Sequence, residues 1–289
     1  MDRPLSFYSF FQVFKLARFP NLFIIAFAQY LTAIFLTEGQ SSLWSVIGDV
    51  NLSLVVLSTT MIAPAGYLIN DYYDIKIDMV NKPNKVIVGN KLERRQVLIW
   101  HTIFNVSGIT LGCLVSIWIG VVNLVATFLL WIYSNQLKRL PLLGNITVAL
   151  LTGMSLLVLA IYFRSNNYII FTYAFFAFGI TLIREIIKDI EDMKGDEVYG
   201  CKTLPIILGI RKTKWILYIL ISCFAFSLYA FTYQLESIGL TTYFLLLLVP
   251  SLYLFYKLIK SDSKQHFNHL SQYCKWLMIG GILSMTVLK

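Results

Sequence analysis

Apolar residues in this chain come in long runs, and the polar stretches between them are short and mostly basic. Each run is about 20 residues long, the length an α-helix needs to cross the hydrocarbon core of a bilayer. The pattern predicts nine spans, roughly 20–37, 50–69, 97–115, 117–134, 141–161, 168–187, 215–233, 239–257 and 273–288. The third and fourth nearly abut, so a tight turn near Ser116 must join them. Pro141 opens the fifth, and Pro250 sits inside the eighth, where a membrane helix can absorb it as a kink. The expected fold is all-α: a polytopic membrane protein with about nine transmembrane helices in one bundle.

Composition removes the soluble alternatives. Of 289 residues, 57% are hydrophobic and only 13% charged, with a mean hydropathy of +0.70. A water-soluble chain of this size could not bury so much apolar surface. A net charge of +9 would suggest nucleic acid in a soluble protein; here basic residues flank membrane spans, and no nucleic-acid partner is expected. With the N-terminus in the cytoplasm, alternation places every Lys and Arg except Arg164 and Lys289 on the cytoplasmic side. So uneven a split supports both the helix count and the orientation. No cleavable signal peptide is evident. Cys113, Cys201, Cys223 and Cys274 are isolated and read as packed thiols. His266 and His269 lack an acidic or thiol partner and read as solvated surface, and His101, alone in the third span, as a local hydrogen-bonding group.

Two acidic runs stand out. Residues 70–78 read NDYYDIKID and residues 188–196 read KDIEDMKGD, so Asp71, Asp74 and Asp78 repeat as Asp189, Asp192 and Asp196 with the same spacing. On a helix, positions i, i+3 and i+7 fall within an arc of about 60°. Each run ends a span, four helices apart, so both emerge on one face of the bundle beside loops rich in Lys and Arg. The repeat suggests two similar helical halves around a central cavity. Carboxylates so close repel one another unless a cation lies between them. Hard divalent cations take such oxygen ligands, and magnesium completes its shell with water and substrate phosphates. The adjoining basic side chains suit a diphosphate. An interior with 17 Tyr, 21 Phe and 6 Trp suits a hydrocarbon tail attached to it. A transporter that coordinates a translocated cation is the reading from a different class, although its acids usually sit near mid-span rather than at helix ends. The signature of CDP-alcohol phosphotransferases, another membrane family with paired aspartate motifs, is absent.

NDYYDIKID resembles the first aspartate motif, NDxxDxxxD, of the UbiA superfamily of intramembrane prenyltransferases. DMKGD at 192–196 resembles its second motif, DxxxD. RFPN at 18–21 is similar to the Arg-Pro-Asn cluster that opens the first helix in many members, and YSNQLKR at 133–139 also fits. The stretch NKPNK with REIIKDIEDMKGD and KTLP looks most like the digeranylgeranylglyceryl-phosphate synthase-like branch. The resemblance implies one transmembrane prenyltransferase domain over 1–289, in a bacterial or archaeal cell membrane, with active-site loops in the cytoplasm.

The resemblance also implies roles. Asn70, Asp71, Asp74 and Asp78 would hold one Mg²⁺ against a polyprenyl diphosphate; Asp192 and Asp196, extended by Asp189, would hold a second. Lys138 and Arg139 would grip diphosphate oxygens. Lys82 and Lys85 stand where many members carry arginines, keeping the charge but losing the bidentate fork. Lys202 resembles a basic residue of the loop after the second motif, and Asn21 and Tyr133 would shape the acceptor pocket. The implied reaction is Mg²⁺-dependent transfer of a prenyl group to a lipophilic acceptor. That acceptor is a glycerol-phosphate ether lipid hydroxyl or, alternatively, an aromatic compound of a quinone-type pathway.

Overall fold

Segments that cannot hydrogen-bond their backbone to lipid must satisfy it internally, and the described chain does so with helices alone. The computed structural model describes residues 7–36, 43–233 and 238–287. Arg3, Lys289 and the outer ends of the first and last expected spans, 37 and 288, lie outside the described residues. The helices are α1 (Phe7–Leu16), α2 (Phe19–Phe35), α3 (Leu43–Ile47), α4 (Val50–Tyr73), α5 (Ile75–Asn81) and α6 (Arg94–Val115). Then follow α7 (Ile117–Asn135), α8 (Leu143–Phe163), α9 (Tyr168–Val198), α10 (Leu204–Thr232), α11 (Ile238–Ile259) and α12 (Lys264–Leu283). Among the described residues, seven helices are long and apolar enough to span a membrane: α4, α6–α10 and, from Thr241, α11. The other two expected spans correspond to α2, apolar but 17 residues long, and α12, whose first turns (KQHFNHLSQYCK) are polar.

Side-chain caps fix several helix boundaries. Ser116 ends α6 in an extended conformation and opens α7, its hydroxyl accepting from Trp118 N–H, so one residue makes the predicted turn. Asp49 caps α4 by accepting from Asn51 and Leu52 N–H and also accepts the Tyr162 hydroxyl at 2.6 Å. Pro141 lies just before α8 rather than in it, and Pro250 lies within α11. Gly209, at φ 78°, interrupts α10, so the span expected from 215 is preceded by a separate turn, 204–208.

Packing divides into two groups joined through α8. In the first, α4 lies against α2, α6 and α7; in the second, α9 lies against α8, α10 and α12. Ile183, Ile186, Ile187, Leu217, Leu258 and Phe267 form a buried cluster of the second group, and Leu52, Val55, Ile119 and Leu159 one of the first. Outward-facing Trp118, Phe128, Phe226 and Val249 are more than half exposed, the apolar exterior of a protein whose solvent is lipid.

Two departures bear on the site. The sixth span does not stop at 187: α9 continues as one 31-residue helix to Val198, so Asp189, Asp192 and Asp196 share a helical stripe inside it. The first run is broken instead. Asp74 leaves the α-helical region (φ −91°, ψ 3°), ending α4 and starting α5, so Asp78 stands on a different helix from Asp71.

Candidate active site

The ends of α4, α5 and α9 meet at one end of the bundle, around a cavity of about 520 Å³. Asn81, the last residue of α5, holds the meeting together. Its side chain donates to Asp192 C=O at 2.9 Å and accepts from Gly195 N–H at 2.9 Å. A Cβ at Gly195 would stand 2.4 Å from Asn81 Nδ2, so glycine is required for this approach. Lys264 Nζ donates to the Asn81 carbonyl at 2.9 Å, tying the start of α12 to the same point.

The structure brings Asn21, Asn70, Asp71, Asp74, Asp78, Lys82, Lys85, Tyr133, Lys138, Asp189, Asp192 and Asp196 to this cavity. Arg139 and Lys202 do not line it; both are exposed at its edge, joined by a hydrogen bond from Lys202 N–H to Arg139 C=O. Most of the carboxylates are paired. Lys82 Nζ donates to Asp192 Oδ2 at 2.7 Å, Arg18 Nη2 to Asp71 Oδ1 at 2.8 Å, and Lys138 Nζ lies 2.6 Å from Asp74 Oδ1. The Asp189 carboxylate accepts from Asn145 at 2.9 Å. Burial, then the Asp74 and Asp71 carboxylates, push the Asp78 carboxyl up to about 6, with Lys82 opposing. Burial pushes the nearby Cys201 thiol up to about 11, which keeps it protonated and unreactive.

Do these residues suit Mg²⁺? Among the described residues no three carboxylates converge into a closed metal site. Asp71, Asp74 and Asp192 are instead turned onto Arg18, Lys138 and Lys82. Yet Asp192 Oδ1 is buried with no hydrogen-bond partner, a costly state for an anion unless a cation arrives. An all-oxygen donor set facing open space is what magnesium accepts when substrate phosphates and water complete the shell. The donor chemistry fits.

Several residues of the cavity had no role assigned from sequence: Asn81, Asn145 and Lys275, together with Arg18 of the RFPN cluster and Arg184, Glu185 and Lys188 of REIIKDIEDMKGD. Arg184, Glu185 and Lys188 precede the second motif on α9, where they resemble the basic edge of a loop. Lys275 lies within a span and gives no local signal. Deeper in the bundle, at the next turns of α2, α9 and α12, the lining becomes apolar: Ile24, Ile25, Ile180, Leu277 and Met278 enter a chamber of about 110 Å³ with Phe176 and Phe244.

A helical bundle that spans the membrane, with carboxylate motifs and cations above an apolar chamber, defines an integral membrane enzyme that handles a charged headgroup on an oily tail. The UbiA prenyltransferase family model matches residues 26–277. The chain belongs to this family, and it is a prenyltransferase. It is 35% identical over 228 residues, 77% of this chain and 82% of the relative, to the digeranylgeranylglyceryl phosphate synthase of Methanosphaera stadtmanae. A solved digeranylgeranylglyceryl phosphate synthase superposes with a TM-score of 0.71 at 22% identity, over 96% of this chain and 98% of that one. A UbiA homolog from Archaeoglobus fulgidus bound to GPP and Mg²⁺ superposes with a TM-score of 0.66 at 14% identity, over 95% and 99%. Family membership sets the transporter reading aside.

Proposed function

We propose that the chain transfers a prenyl group from a polyprenyl diphosphate to the hydroxyl of a glycerol-phosphate ether lipid, with Mg²⁺ held by the two aspartate motifs. The observation that carries this reading is the convergence of Asp71, Asp74 and Asp78 with Asp192 and Asp196 on one cavity, beside Lys82 and Lys138. The relatives named digeranylgeranylglyceryl phosphate synthase support the acceptor class. In this reading residues 1–289 act as one domain, and the cavity opens to the cytoplasm.

When bound, Mg²⁺ neutralises the diphosphate and so eases its departure. The protein's own groups do the rest. Asp192 and Asp74 would hold the metal, and Lys82 and Lys138, which pair with them at 2.7 and 2.6 Å, would then be placed to donate to diphosphate oxygens. Lys85 lines the same cavity, and Asn70 accepts from Lys138 at 3.4 Å, steering that ammonium. The bond from the allylic C1 to the diphosphate oxygen breaks with its electron pair on oxygen. The acceptor oxygen bonds to C1 and passes its proton to an aspartate of the cavity, leaving the ether and free diphosphate as products. The apolar lining below the cavity receives hydrocarbon and excludes water that would otherwise capture the allylic cation. Arg139 and Lys202 sit at the rim, where they attract the anionic headgroup.

The test uses purified protein in lipid nanodiscs with Mg²⁺, prenyl diphosphates of graded length, and two acceptors, a geranylgeranylglyceryl phosphate and a hydroxylated aromatic. Mass spectrometry is expected to find the diether phosphate. Prenylation of the aromatic alone would overturn the acceptor, and transfer that persists in EDTA would overturn the metal.

A further inference from the structure

The inner end of the cavity holds cations that the diphosphate does not need. At the aspartate motifs, Arg18, Lys82 and Lys138 each have their own carboxylate oxygen within 2.8 Å. The floor is different. Arg184 pairs with Glu185, and Lys188 Nζ reaches the same carboxylate only at 3.6 Å. Lys275 Nζ has Asn21 Oδ1 at 3.5 Å and faces Arg184, Arg18 and Lys188, with Glu185 its nearby carboxylate. Arg184 Nε is buried with no hydrogen-bond partner. Among the described residues, Glu185 is thus the one carboxylate within ion-pairing distance of any of the three floor cations, although Asp189 follows Lys188 directly on α9 and Asp192 stands one turn further on. A guanidinium nitrogen without an acceptor, and ammonium groups whose contacts lie at 3.5 and 3.6 Å, leave room for a ligand to supply further acceptors.

We propose that Arg184, Lys188 and Lys275 form a second anion subsite, which takes the phosphate monoester of the acceptor. The inference rests on the glycerol-phosphate reading given above. Charge fits: three cations against one carboxylate leave about two positive charges, and a phosphate monoester carries about two negative ones near neutral pH. Spacing fits as well. Arg184 precedes Asp192 by eight residues on one helix, roughly 12 Å at about 1.5 Å per residue. An acceptor oxygen about 3 Å from the allylic carbon, with ordinary bond lengths on either side, puts the two phosphorus centres roughly 10 Å apart. The floor also borders the apolar chamber: Asn21 is followed on α2 by Ile24 and Ile25, Lys275 on α12 by Leu277 and Met278, and Arg184 is preceded on α9 by Ile180. A phosphate there leaves its ether chain at the edge of hydrocarbon-compatible surface. Specificity for a phosphorylated acceptor follows, because a neutral acceptor would leave these cations unpaired.

The test is a comparison of residue and ligand together. Arg184→Gln and Lys275→Gln are assayed in nanodiscs with geranylgeranylglyceryl phosphate and with its dephosphorylated counterpart. Binding of the radiolabelled phosphate lipid is measured separately in EDTA without donor. Each variant is expected to raise the KM and the Kd for the phosphate acceptor roughly ten- to hundredfold, the loss of a charge-assisted hydrogen bond. The donor KM stays unchanged, the two variants use the dephosphorylated lipid as poorly as wild type does, and Lys275→Arg retains binding. If the donor KM rises in step with the acceptor KM, the cations serve the donor or the fold and the subsite is overturned. Equal use of both lipids by wild type would overturn it too. If wild type prenylates neither glycerol lipid but does prenylate another acceptor, the preceding functional reading falls and the subsite with it. Should Arg184→Gln fail to fold, Lys275→Gln at the half-buried edge of the floor carries the comparison alone.

Discussion

Replacing Asn81 by alanine should disconnect the two aspartate motifs while leaving every carboxylate in the chain. Asn81 is 8% exposed and makes two hydrogen bonds of 2.9 Å into α9, to the Asp192 carbonyl and the Gly195 N–H. At about 1 kcal/mol net for each, the clamp stabilises the registry of α5 on α9 by about 2 kcal/mol. Converted at about 1.4 kcal/mol per decade, that is roughly a 30-fold loss in the population of aligned sites. Misplacement of reacting groups by about 1 Å costs on the order of 100-fold in rate. The expected fall in single-turnover rate therefore lies between these figures, with helical content unchanged by circular dichroism. Gly195→Ala attacks the same contact from the other side, because its Cβ would stand 2.4 Å from Asn81 Nδ2. Since each substitution alone breaks the clamp, the double variant should be no slower than the worse single. Additive losses would refute the idea that one contact aligns the motifs.

Other consequences follow from the same geometry. Lys138→Ala leaves the Asp74 carboxylate buried without its counterion, and should destabilise the metal-free protein by about 3 kcal/mol; thermal unfolding should show that loss shrinking as Mg²⁺ is added. Below pH about 6 Asp78 holds a proton in the metal-free site, so Mg²⁺ must displace it. Apparent Mg²⁺ affinity, read by calorimetry, should weaken up to about tenfold per unit as pH falls through that value, and a flat profile from pH 5 to 7 would contradict this. The sign for stability is opposite: a carboxyl raised when folded favours the metal-free fold at low pH, a contribution lost as pH rises through about 6. Ala28→Phe places a ring in the apolar chamber, and should shift preference among donors toward shorter prenyl chains in a competition assay read by product mass.

Much of the architecture was legible because hydrocarbon imposes a length. Runs of about 20 apolar residues give α7 to within one residue, α8 to within two and the start of α4, and Ser116 marks its own turn by capping α7. Hydropathy failed where the bundle encloses a polar cavity. Reading along the chain, Arg184 and Lys188 look like the end of a span and the start of a loop, yet α9 runs on for a further ten residues past Lys188. Charged residues there face a polar cavity rather than lipid, a distinction that only tertiary packing makes. The equal spacing of the two acidic runs was visible, but the break at Asp74 was not. Its sequence neighbours would all tolerate a continuous helix, and the bend arises where α5 turns to meet α9. Asn81 and Lys275 act across more than a hundred residues of sequence and leave no local trace.

The central claim is that carboxylates from both motifs gather divalent metal around one diphosphate, and one spectroscopic measurement addresses it directly. Mn²⁺ is substituted for Mg²⁺ in the protein bound to a non-reactive thiolo analogue of a prenyl diphosphate, and phosphorus-31 electron–nuclear double resonance is recorded. Wild type should show strong manganese–phosphorus coupling, and both Asp78→Asn and Asp196→Asn, one from each motif, should diminish it. Coupling that survives intact in either variant would mean that the two motifs do not share a ligand.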